Sequence, residues 1–90
     1  MNFSCLQGYL YASYDELVAA FGDPGLGPND DDDGKVTCEW TLILDGQECR
    51  IYDWKTGSTP MRRYEWHIGG YNKRAVTLVE NAFRQRRRAA

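Results

Sequence analysis

The chain has little of what chemistry on a substrate or a metal usually requires. His67 is the lone histidine, and Cys5, Cys38 and Cys49 are the three cysteines. The cysteines are odd in number and lack the paired spacing of a zinc site or a disulfide framework, so buried, reduced thiols are expected. No stretch approaches the roughly 18 apolar residues of a membrane-spanning helix. Met1-Asn2-Phe3-Ser4 lacks the basic-then-apolar order of a secretory signal, so a cytoplasmic setting without a membrane partner is expected. No serine or cysteine lies in a nucleophile motif. No enzymatic activity, cofactor or metal site is therefore expected.

What the chain does have is aromatic residues. Its 90 residues are 42% hydrophobic and 13% aromatic, the composition of a folded domain. One domain of this size buries only about 60% of its extended surface, so each large ring counts heavily in the core. Three tryptophans mark three strand-like runs: 36–44 around Trp40, 49–55 around Trp54 and 64–70 around Trp66.

A net charge of −2 conceals a division along the chain. From Asp15 to Glu48 there are ten acids and one base, Lys35; from Arg50 to the end there are ten bases and three acids. Asymmetry of this kind points to a charged partner or to self-association. It also arises when two halves of one small domain pack together and neutralise each other.

Local signals give the order of elements. Cys5 to Ala12 reads as a strand. Ser13 and Glu16 form a capping box for a short helix with Leu17, Val18, Ala20 and Phe21 on its apolar face, closed by Gly22 and Pro24. Residues 25–34 read as a mobile acidic loop. Its Asn29-x-Asp31-x-Asp33-Gly34 mimics the start of a calcium loop, but the twelfth position is Trp40 where glutamate is required. Asp45-Gly46 predicts a two-residue hairpin turn, which sets Trp40 opposite Ile51 and Leu42 opposite Cys49. Period two then puts Val36, Cys38, Trp40, Leu42, Leu44, Cys49 and Ile51 on the core face, with Glu39, Arg50, Tyr52 and Trp54 on the other. Glu39 and Arg50 fall within reach of an ion pair. A last strand, 64–68, precedes Gly69-Gly70. Asn72 caps a closing helix over about 73–87, whose stripe of Val76, Val79, Ala82 and Phe83 must pack on the sheet. Beyond about residue 84 the chain reads as a basic tail. The whole is a single α+β domain with a mostly antiparallel four-stranded sheet, in the order strand, helix, three strands, helix.

Phe21-Gly22-Asp23-Pro24, Glu39-Trp40, Ile51-Tyr52-Asp53-Trp54-Lys55 and Trp66-His67-Ile68-Gly69-Gly70 together form a pattern that resembles a family of small bacteriophage and prophage proteins. The resemblance covers residues 8 to about 83. It implies a phage-encoded protein acting in a bacterial host cytoplasm and carries no particular activity with it.

Two groups of residues are candidates for binding. Tyr52 and Trp54, with Arg50 and His67 beside them, need a covering helix or a partner, and aromatics beside an arginine suit an interface centre. His67 near a carboxylate could move a proton, but a structural histidine is the preferred reading because no nucleophile accompanies it. The turn Gly69, Gly70, Lys73 and Arg74 is the second candidate. Cations in a first helical turn oppose the dipole, and glycines there could expose amides to a phosphate or a carboxylate. The preferred function is a non-enzymatic module that binds a host or phage protein, with self-association as a homodimer one form of this. The alternative is nucleic-acid binding through Arg62, Arg63, Lys73, Arg74 and the arginines from Arg84 to Arg88, which a pI near 5.3 disfavours.

Overall fold

A computed structural model describes residues 5–25, 37–54, 56 and 58–89. The acidic run Asp30–Asp33, the calcium-loop mimic and Val36 lie outside the described residues. The protein is a small α+β fold of four strands and two helices. In chain order these are β1 (Cys5–Ala12), α1 (Tyr14–Phe21), β2 (Glu39–Leu44), β3 (Gln47–Tyr52), β4 (Tyr64–Gly70) and α2 (Arg74–Ala89). The sheet order is β1-β4-β3-β2, with every neighbour antiparallel. Among the described residues no helix is long and apolar enough to cross a membrane.

Local chemistry accounts for most of the boundaries. The Ser13 hydroxyl accepts the Glu16 N–H at 3.2 Å while the Glu16 carboxylate accepts the Ser13 N–H at 2.9 Å, so two otherwise orphaned amides are satisfied reciprocally. The β2–β3 turn holds Asp45 at φ 52° and Gly46 at φ 74°, the positive pair that this tight turn requires. Its register is the one the turn dictates: Trp40 faces Ile51 and Leu42 faces Cys49. Asn72 caps α2 through its side-chain oxygen, which accepts the Arg74 N–H at 3.0 Å. The helix starts one residue later than the sequence pattern indicates and continues through the arginines to Ala89, so the basic segment is helical rather than a separate tail.

Both helices cover the same face of the sheet. Leu10, Ala12, Trp40, Cys49, Ile51, Trp66 and Ile68 from the strands meet Leu17, Ala20, Ala75, Val79 and Phe83 from the helices, all buried. Trp40 and Trp66 pack edge to face, centroids 5.4 Å apart. Close approach of α2 is possible because Gly70 lacks a side chain: a Cβ there would sit 2.5 Å from the Ala75 Cβ. Cys38 and Cys49 are buried as expected, whereas Cys5, at the start of β1, is exposed. Burial and then the Asp53 charge push the Cys38 thiol up to about 11, so it stays protonated at neutral pH.

Trp40 is only 2% exposed, and its indole N–H donates to the Gly22 carbonyl at 2.7 Å. Trp40→Ala should therefore cost about 3 to 5 kcal/mol. That is a large share of the roughly 5 to 15 kcal/mol that holds a small domain folded. Chemical denaturation of the variant measures it, and a loss under about 1 kcal/mol would contradict this packing.

Candidate binding face

With both helices on one side, the opposite side of the sheet is left without a covering element among the described residues. Register places its side chains in rows. Tyr9 on β1 is opposite His67 on β4, His67 is opposite Tyr52 on β3, and Tyr52 is opposite Glu39 on β2. The imidazole is stacked on Tyr52 at 5.4 Å and meets Tyr9 edge-on at 5.1 Å. Trp54, just past the end of β3, adds its ring 6.4 Å from both Tyr52 and His67. Tyr11 lies one row beyond Tyr9, opposite Glu65. Tyr9, Tyr11 and Trp54 are 48%, 61% and 41% exposed, while Tyr52 and His67 are half-buried beneath them. Three aromatic side chains thus surround one histidine on an open sheet face, and Tyr11 extends the patch by one row.

Two cations on or near this face, Arg50 and Arg63, are engaged with carboxylates. Arg50 pairs with Glu39, which is itself buried. Hydrogen bonding to Glu39 holds the Arg50 guanidinium pKa above its ordinary value. Arg63 lies 5.8 Å from the Tyr11 ring and pairs with Glu16 at 3.3 Å. Arg87 on α2 reaches the same carboxylate at 2.9 Å. The Ser13 backbone bond, Arg63 and Arg87 keep Glu16 ionised below the usual carboxylate range, against the opposing effect of its burial.

Asp53 does not belong to the face. Its carboxylate is fully buried and accepts four bonds: N–H groups of Thr37 at 2.7 Å and Cys38 at 3.1 Å, and hydroxyls of Thr37 and Thr56. The Thr37 hydroxyl in turn lies 2.8 Å from that of Thr59. Asp53 is a clamp joining the entry to β2 with the loop after β3. Among the described residues, His67 Nδ1 is buried with no hydrogen-bond partner.

Gly69 and Gly70 are β4 residues, paired to Arg50 and Cys49 on one side and to Leu6 and Cys5 on the other. The Gly70 carbonyl also accepts the Gln7 side-chain amide at 3.0 Å. Arg74 pairs with Asp45 at the tip of the β2–β3 hairpin, and Lys73 is exposed in the turn before α2. Arg86 is engaged on α1, with its guanidinium 5.2 Å from the Phe21 ring. The glycines thus serve strand pairing and helix packing, and several of the basic residues serve intramolecular contacts. A separate cleft of about 380 Å³ lies between the end of α1 and β2, lined by Phe21, Asp23, Gly25, Trp40 and the Glu39–Arg50 pair among others.

Sequence reasoning brings Tyr52, Trp54, Arg50 and His67 to one face but misses Tyr9 and Tyr11. Their period-two spacing opposite Leu10 and Ala12 is a signal that they share a face. Which strand lies beside β1 is not readable from that spacing. Comparison with protein-family models, with curated proteins and with solved structures gives no match.

Burial lowers the His67 pKa below its ordinary 6.5, and the charges of Asp53 and Glu65 only partly offset this. In the window between the folded value and 6.5 the unfolded chain binds more protons. Stability from this residue is accordingly full above about 6.5 and declines as pH falls through that value. An NMR titration should place the His67 transition below 6.5, and His67→Phe should flatten the dependence of melting temperature on pH between about 5 and 7. A His67 transition above 6.5 would contradict the desolvated environment.

Proposed function

We propose that this chain is a non-enzymatic binding module whose open sheet face docks onto a protein partner, in the bacterial host cytoplasm that its phage-like pattern implies. The observation that carries this reading is the placement of Tyr9, Tyr52 and Trp54 around His67, with Tyr11 one row beyond, on the face the helices leave uncovered. An open face of an antiparallel sheet ordinarily carries polar side chains. Large, rigid rings with polar tips are instead what protein interfaces concentrate at their centres.

Charge favours a protein over a nucleic acid. Arg50 and Arg63 already have carboxylate partners, and Glu65 stands exposed beside Tyr11, so these two arginines offer phosphates approaching this face little free positive charge. The His67 ring is also stacked on Tyr52 at 5.4 Å and met edge-on by Tyr9 at 5.1 Å, which occupies ring surface that unpaired bases would need. The expected partner presents a mainly apolar surface of low net charge. The non-enzymatic reading rests on the site chemistry: Asp53 is saturated with donors, and His67 is walled in by rings.

The test is capture from bacterial lysate by the parent chain, by Tyr9→Ser/Trp54→Ser and by Thr77→Glu on the exposed side of α2. The face variant should lose capture by tenfold or more, since interface-centre aromatics are worth about 2 kcal/mol or more. Thr77→Glu should capture normally, nuclease treatment should change nothing, and all three melting temperatures should agree within a few degrees. Capture that survives the double substitution, or that vanishes with nuclease, would overturn the reading.

A further inference from the structure

We infer that β1 pairs edge to edge with β1 of a second copy, joining two four-stranded sheets into one continuous antiparallel sheet. This goes beyond the docking face and does not depend on which partner that face takes. β1 is an outer strand of the sheet and eight residues long. Its sequence, Cys5-Leu6-Gln7-Gly8-Tyr9-Leu10-Tyr11-Ala12, contains neither a charged residue nor a proline. Folded proteins ordinarily protect such an edge with lysine, proline or a covering segment, because its unpaired N–H and C=O groups are a template for another strand. Its irregularity lies between Leu6 and Gly8, which leaves Gly8 to Ala12 in regular register with β4. Among the described residues, the main chain of Gly8 to Tyr11 makes no hydrogen bond outside its ladder with β4.

The opposite edge differs. β2 begins with Glu39, whose side chain pairs with Arg50 and whose carbonyl accepts the Gly25 N–H at 2.8 Å. The segment leaving α1 therefore already reaches that edge.

The side-chain pattern of β1 is self-complementary, which favours a second copy as the occupant. A two-fold axis at Leu10 sets Tyr9 opposite the second copy's Tyr11, and Gly8 opposite its Ala12. Tyr9 and Tyr11 then meet on the open face, while on the helix-covered face Leu10 meets its own copy between the small Gly8–Ala12 pairs, with directly opposed side chains about 4.5 to 5.5 Å apart at Cβ. An uncharged strand meets its own copy without like-charge repulsion, and the isologous arrangement closes at two copies. The result continues the aromatic row across the seam, so that two docking faces become one surface.

Sedimentation from about 1 µM to 500 µM spans the range in which a contact of this modest size dissociates. A monomer–dimer equilibrium is expected. Hydrogen exchange of the outward amides within residues 8–11 should slow as the dimer forms. This measurement needs no variant. Tyr11→Lys sets cations near one another across the axis and should weaken the dimer at least tenfold, whereas Ile43→Lys on β2 should change it less than about twofold. A chain that stays monomeric throughout overturns the pairing. So does a dimer whose β1 amides exchange as fast as the monomer's, which would mean stacked faces. So does protection of β1 that appears only when another protein is added. A monomer that still loses its partner through Tyr9→Ser/Trp54→Ser overturns this pairing alone and leaves the docking face standing.

Discussion

Two indole N–H groups hold the first strand–helix unit against the sheet, and the arrangement of both faces depends on them. Trp66 Nε1–H donates to the Ala12 carbonyl at 2.9 Å, where β1 ends, and Trp40 Nε1–H donates to the Gly22 carbonyl at 2.7 Å, where α1 ends. The helix is thus pinned at both ends by residues from two different strands. The rings themselves meet edge to face, and Tyr14 and Tyr64 pack against them at 5.8 and 5.2 Å. A buried indole N–H without an acceptor would carry its full desolvation cost, so each ring can be buried only where such a carbonyl is available. With α1 fixed on that face and α2 docked beside it over Gly8 and Gly70, no described element is left to cover Tyr9, Tyr52, Trp54 and His67.

Part of the charge division along the chain is consumed by folding. The ion pairs Glu39–Arg50, Glu16–Arg63, Glu16–Arg87 and Asp45–Arg74 each join a residue of the acidic segment to one of the basic segment. Exposed pairs such as Asp45–Arg74 are worth at most about 1 kcal/mol. Their larger effect is to neutralise charge locally, which leaves the open face with aromatic area and little net field. Glu16 shows how densely this is done, since one carboxylate caps α1 and receives arginines from the β4 approach and from α2. The same pairing explains why the arginines at the end of the chain are helical: Arg86 and Arg87 lie against Phe21 and Phe83 while their cations reach α1.

The candidate face is partly legible in the order of residues along the chain. Alternation around the Asp45-Gly46 turn sends Trp40 inward and Tyr52 and Trp54 outward, because side-chain period and turn length leave one register that buries the larger apolar set. Asp53 shows where that reasoning stops. Alternation puts it on the core face, where an unpaired carboxylate would be prohibitive. It is tolerated because Thr37 and Cys38, distant in sequence, and Thr56, just downstream, bring four donors to it.

By itself the sequence determined the elements: the capping box of α1, the hairpin turn, the amphipathic stripe of α2 and the inward parity of Trp40. These follow from interactions between residues a few positions apart, whose geometry the covalent chain already constrains. Only the tertiary structure decided that β1 lies beside β4, which brings Tyr9 to His67 across 58 positions of sequence and leaves β1 on an outer edge. It also decided that Arg63 and Arg87 converge on Glu16. Such pairings depend on the packing of both helices over one face and on the burial of two indoles, a collective balance in which no local segment contains enough information to choose the neighbour.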